Sequence, residues 1–152
     1  MEIHDMKITM IKLFLTALLL ISSASLLSGP LHNAAFANNA DKIKLLIKNG
    51  EDINEINEDG SWPLLIAATY NNLSAATVLI DSGANVNRSN NHGYTALHEA
   101  ASLANRKMAL LLIRNGAEIN KRDINNLTAL IYAQMSGSEK MIRLLKRKGA
   151  TE

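Results

Sequence analysis

Four histidines, one acidic run and one basic run are the side chains of this 152-residue chain whose types could support chemistry. His98-Glu99 begins like the zinc-protease motif H-E-x-x-H, but Ser102 stands where the second imidazole is needed. His32 takes the place equivalent to His98 in an earlier unit of the chain, His92 a loop tip and His4 the leader, so no four-ligand constellation can be drawn. The acidic run Glu51, Asp52, Glu55, Glu58 and Asp59 lacks the alternating D-x-D-x-D-G order and distal glutamate of a calcium loop. Serine, histidine and aspartate occur too, but a nucleophile needs its base within hydrogen-bond reach, and these lie far apart in the chain. No glycine-rich loop follows a strand. The basic run Lys140, Arg143, Lys146, Arg147 and Lys148 has no aromatic companions, and a net charge of +2 does not by itself announce a polyanion partner. Catalysis, metal and cofactor are therefore not expected.

The elements that hold these residues repeat. Gly50, Gly83, Gly116 and Gly149 stand 33 residues apart. Asn54, Asn87 and Asn120 keep that step, as do Gly60 and Gly93, with Asn126 in the third place. Small pairs recur at Ala34-Ala35, Ala67-Ala68 and Ala100-Ala101, weakening to Ala133-Gln134. Apolar pairs recur at Leu45-Leu46, Val78-Leu79, Leu111-Leu112 and Leu144-Leu145. The unit from Thr95 to Asn120 shows what is repeated: a capped short helix, a tight turn, a longer apolar helix and a glycine stop. The longer helix carries Met108, Leu111 and Leu112, with Leu110 and Ile113 less regular, and in the first repeat Ile43, Leu45, Leu46 and Ile47 supply the stripe. Such a unit cannot bury its apolar face alone, so the period predicts a solenoid in which each repeat covers its neighbour.

Thr95-Ala96-Leu97-His98-Glu99-Ala100-Ala101 resembles the T-P-L-H-x-A-A signature of the ankyrin repeat, with Trp62 to Ala68 and Thr128 to Ala133 as looser versions. Gly83-Ala84-Asn85-Val86-Asn87 and Gly116-Ala117-Glu118-Ile119-Asn120 resemble its G-A-D-V-N segment. The resemblance covers about residues 29 to 150. It implies an all-α solenoid of about 3.5–4 helix-turn-helix repeats with short hairpin loops. It also implies binding of another protein through a concave groove, with no catalysis, no small-molecule substrate and no nucleic acid. His98 is expected to be structural, bonding backbone before the inner helix, and the basic run to be a polar cap on the last repeat.

Residues 1–28 have a different character. Lys7 and Lys12 precede the apolar run Leu13 to Ile21, and small residues follow, the pattern of a secretory signal. The run is short for a membrane span, which needs about 20 residues. Ala35-Phe36-Ala37 has the small-x-small form of a cleavage site, so residues 1–37 are expected to be a signal peptide and 38–152 the repeat domain. Cleavage after Ser25 is the alternative. It would keep Gly29 to Ala35, which aligns without a gap with Thr95 to Ala101. The expected location is periplasmic or secreted, with anchoring through an uncleaved segment as the alternative. There is no cysteine, hence neither a disulfide nor a lipoprotein anchor.

Sorting each repeat by what packing uses leaves the hairpin tips and the ends of the inner helices for a partner. By resemblance these are Glu58, Asp59, Ser61 and Tyr70 in repeat two, and Asn91, His92, Tyr94 and Leu103 in repeat three. Arg122, Asn125, Leu127 and Met135 are their counterparts in repeat four. Tyrosine, methionine and arginine are enriched in interface cores. The expected function is an exported, monomeric adaptor for an unidentified protein. The alternatives are a secreted factor aimed at a host protein, or an inhibitor or immunity protein for an enzyme in the same compartment.

Overall fold

Capping residues decide where each inner helix begins. Thr95 has extended backbone, and its Oγ1 accepts the His98 N–H while His98 Nδ1 accepts the Thr95 N–H at 3.1 Å. Thr128 caps its helix through the Ile131 N–H, and Pro63 stands at a first helical position, where its missing N–H costs nothing. The computed structural model describes residues 29–151. The apolar leader and the Ser25 cleavage site lie outside the described residues.

Among the described residues there are eight helices: α1 Pro30–Phe36, α2 Ala40–Lys48, α3 Pro63–Thr69, α4 Leu73–Asp81, α5 Ala96–Ser102, α6 Arg106–Arg114, α7 Ala129–Met135 and α8 Glu139–Arg147. The short helices α1, α3, α5 and α7 stack in one layer, the longer α2, α4, α6 and α8 in a second, and each short helix packs on the long helix after it. The architecture is all-α, with hairpin arms that meet in a single bridge, Ser89 to Thr95. The seam between layers is filled at fixed positions: Leu31, Leu64, Leu97 and Leu130 are buried on the inner layer, and Leu79, Leu112 and Leu145 on the outer one.

Which face each position serves follows from the ends of the stack. Ala75, Met108 and Met141 are buried, while Lys42 holds their place in the first outer helix, against which no earlier helix pair packs among the described residues. Leu45 belongs to the same face and is 56% exposed, contrary to its assignment to the apolar stripe. Its counterpart Leu144, with a neighbour before it, is buried. In α6 the buried side chains are Met108, Ala109 and Leu112, and Leu111 is only partly buried. Gln134 is exposed where Ala35, Ala68 and Ala101 are buried, since no helix pair covers that face among the described residues.

Asparagine ties one repeat to the next. Asn54, Asn87 and Asn120 each accept, through Oδ1, a backbone N–H 31 residues ahead: Asn85, Glu118 and Thr151, at 2.8–2.9 Å. Asn87 and Asn120 also donate through Nδ2 to the carbonyls of Gly116 and Gly149. The stop glycine can present that carbonyl because it is left-handed, at φ 87° for Gly116.

A second left-handed position closes each inner helix: Asn38, Asn71, Ala104 and Gly137, at φ 52° to 68°. Asparagine and glycine tolerate this region, and alanine does not. Ala104 is held there by its own N–H bonding Ala101 O and by the Asn105 N–H bonding Ala100 O. The left-handed penalty for alanine is roughly 1–2 kcal/mol, partly offset by the greater freedom of glycine in the unfolded chain. Ala104→Gly is therefore expected to stabilise the protein by about 0.5–1 kcal/mol. A urea melt with an unchanged or lower midpoint would contradict this reading of the turn.

Candidate interaction surface

Each hairpin tip is built around one side chain. Asn57, Asn90 and Asp123 receive backbone N–H groups through Oδ1: Ser61 for the first, His92 and Tyr94 for the second, Asn125 and Leu127 for the third, all at 2.8–3.0 Å. Their own N–H groups bond the carbonyls of Ser61, Tyr94 and Leu127, closing the loop. Gly60, Gly93 and Asn126 supply the left-handed residue of each turn. Glu58, Asp59, Asn91, His92, Arg122 and Asn125 are thereby carried on fixed tips, and all are exposed. Arg122 Nη1 donates to Asn126 O within its own tip.

Ser61, Tyr94 and Leu127 are only partly exposed. The Ser61 carbonyl accepts from His32 Nε2 at 3.1 Å. The Tyr94 ring stacks on His98 and packs edge-on against Tyr132, and its hydroxyl donates to Glu99 Oε2 at 2.7 Å. Burial, then that carboxylate, pushes the Tyr94 pKa well above the usual phenol range. Tyr94 thus serves the packing between repeats three and four, and its hydroxyl is already engaged.

The histidine behind it is structural. His98 Nε2 donates to Lys121 O at 3.0 Å in the following hairpin, which leaves Nδ1 as the acceptor for Thr95. Burial lowers its pKa, in keeping with a neutral imidazole. Nearby, Tyr132 donates to Asp123 Oδ2 at 2.7 Å, and burial with that bond pushes its pKa up to about 12. Burial alone would raise the Asp123 pKa, but the bonds from Tyr132 and from the Leu127 and Asn125 N–H groups hold it below the usual carboxylate value. In repeat one, Gly29 has no hydroxyl to offer, and His32 Nδ1 lacks a partner. Among the described residues no group of three or more His, Asp or Glu is placed to hold a metal ion.

Large apolar side chains left outside the core recur along the stack without keeping one register position. Phe36 is 57% exposed, Tyr70 56%, Leu103 46% and Met135 70%, one from each repeat, at or just after the end of its inner helix. Phe36 and Tyr70 meet edge to face, 4.6 Å between centroids, so the row is continuous across the first two repeats. Tyr70, Leu103 and Met135 are among the residues singled out by the sequence. Phe36 is not, because it lies inside the expected cleavage motif Ala35-Phe36-Ala37. Ile124, on the tip of repeat four, is 65% exposed and adds to the apolar surface.

The family model for ankyrin repeats, in three copies, matches residues 31–123. Comparison with curated proteins returns no match. The match begins at α1, so the first inner helix is counted as part of a repeat.

Proposed function

This chain belongs to the ankyrin repeat family, whose members are generally protein–protein interaction modules, and on that premise we propose that it is an exported adaptor that holds a partner protein on the inner-helix side of its stack. The observation that carries this reading is the row of Phe36, Tyr70, Leu103 and Met135. Packing has no use for four large apolar side chains in water, whereas interface cores favour aromatic residues and methionine. The tips beside the row run from acidic, at Glu58 and Asp59, to basic, at Lys121 and Arg122. That polarity would orient a partner of opposite sense along the stack. Catalysis forms no part of this proposal.

Export rests on the Lys7 to Leu27 pattern, and its consequence depends on where the leader is cut. The sequence leans to a cut after Ala37, but the packing of α1 supports the one after Ser25. Leu31, Ala34 and Ala35 are buried, and Asn72 Nδ2 donates to the carbonyls of Ala35 and Phe36 at 2.8–2.9 Å. A cut after Ala37 would discard all of these and the first member of the apolar row.

The test is capture of partners from a periplasmic extract with the mature protein, compared with the Tyr70→Ala, Leu103→Ala double variant. Loss of two central anchors is expected to weaken the captured complex by at least about 2 kcal/mol, some thirtyfold in Kd, while the melt changes little. Undiminished binding by the double variant would remove this face from the reading.

A further inference from the structure

The basic residues of the C-terminal half do more than cap the stack. An open cleft of about 510 Å³ on the outer layer, between α6 and α8, is lined by Arg106, Lys140, Arg143, Lys146 and Arg147. All five are exposed, and no carboxylate joins them in the lining. The ion pairs among the described residues are elsewhere, Lys44 with Asp41 and Lys121 with Glu118. Five cations converge here in a chain whose whole balance is +2, so the rest of the protein is net negative.

Capping accounts for one of the five. Lys146 stands where Ile47, Ile80 and Ile113 are partly buried against the core, and among the described residues no helix pair covers that place on α8, so a polar residue suits it. The other four occupy outward positions that the fold leaves open. The places of Lys140, Arg143 and Arg147 are held by Asp41, Lys44 and Lys48 in repeat one, and by Ser74, Thr77 and Asp81 in repeat two. The helix dipole favours Arg147, in the last turn of α8, but does not account for the others. Arg106 is the first residue of α6 and Lys140 the second of α8, the ends at which the macrodipole opposes a cation. Mutual repulsion among the five, and the dipole at Arg106 and Lys140, act against this arrangement, and what would offset them is an anion in the cleft.

We propose that the cleft between α6 and α8 binds a compact soluble anion carrying two or more phosphate groups. Three arginines offer planar donor forks that match phosphate oxygens in pairs, and the two lysines add point charges around the same volume. Each terminal phosphate carries about −1.5 to −2 at neutral pH, so two or three in one small molecule balance five cations, as a single carboxylate does not. The cleft lies on the outer layer, away from the inner-helix row, so both sites can be filled together.

Titration of the full chain with inorganic tripolyphosphate, followed by calorimetry, tests this. The expected result is saturable one-to-one binding, with a Kd of about 10–100 µM at 0.15 M salt. Arg106→Gln with Arg143→Gln is expected to weaken it at least tenfold. Lys42→Gln with Lys48→Gln removes the same charge from exposed positions at the other end of the stack, and should leave the Kd within twofold. Equal weakening by both pairs would mean diffuse charge attraction and overturn the proposal. So would absence of tripolyphosphate binding by a protein that nevertheless binds vesicles of phosphatidylglycerol through Arg106 and Arg143, because the surface would then fit a bilayer and not a compact anion.

Discussion

Leu112→Ala is expected to destabilise the protein by about 2–5 kcal/mol, and Leu45→Ala by no more than about 0.5 kcal/mol. Both positions belong to apolar pairs that repeat every 33 residues, Leu45-Leu46 and Leu111-Leu112, so composition does not separate them. Burial does. Leu112 is fully enclosed on α6 between the two layers, with repeats before and after it, and its removal leaves a cavity that the flanking helices fill only in part. Leu45 faces outward from the first outer helix, where nothing covers it among the described residues. Small domains have a net stability of only about 5–15 kcal/mol, so the first change takes a large share of the total. Urea melts of the two variants beside the parent decide the matter. Equal losses would mean that the faces of the outer helices are wrongly assigned, and no loss at Leu112 would mean that the layers are not packed as described.

The sequence makes the period, the helix pairs and the stop glycines legible because each recurs as the same residue type. Where one conformation is served by different residues, the pattern does not show. Asn38, Asn71, Ala104 and Gly137 share a left-handed turn without sharing a chemistry. Asn57, Asn90 and Asp123 build the same hairpin, but the change from amide to carboxylate hides the register. Asn54, Asn87 and Asn120 are conspicuous in the sequence, yet their role is not, since the N–H that each binds belongs to Asn85, Glu118 and Thr151, which share a place in the period but no side-chain chemistry. The site divides in the same way. Tyr70, Leu103 and Met135 could be read as surplus to packing and are exposed, whereas Tyr94, equally surplus on paper, is drawn onto His98 and Tyr132 by contacts that only the fold brings about. A competing pattern hides Phe36, a small-x-small triplet that is also the end of a helix.

That competition leads to the second large effect. A chain beginning at Asn38 is expected to be less stable than one beginning at Leu26 by about 2–4 kcal/mol, a drop in Tm of about 10 °C. The buried side chains of α1, Leu31, Ala34 and Ala35, contribute about 3–4 kcal/mol of apolar burial between them. Their loss also uncovers the face of α3, where Leu64, Ala67 and Ala68 are fully buried. Against these stands the conformational entropy of ordering the segment, which is why the net figure is smaller than the gross one. In a stack that couples only nearest neighbours, the damage falls on α2 and α3 first, and α2 would be left with nothing on its inner side. Thermal melts of the two chains measure the difference, and the intact mass of the exported protein shows which of them the cell makes. A mature protein that begins at Asn38 and melts no lower than the longer chain would mean that α1 is dispensable, that repeat one is half a repeat, and that the apolar row begins at Tyr70.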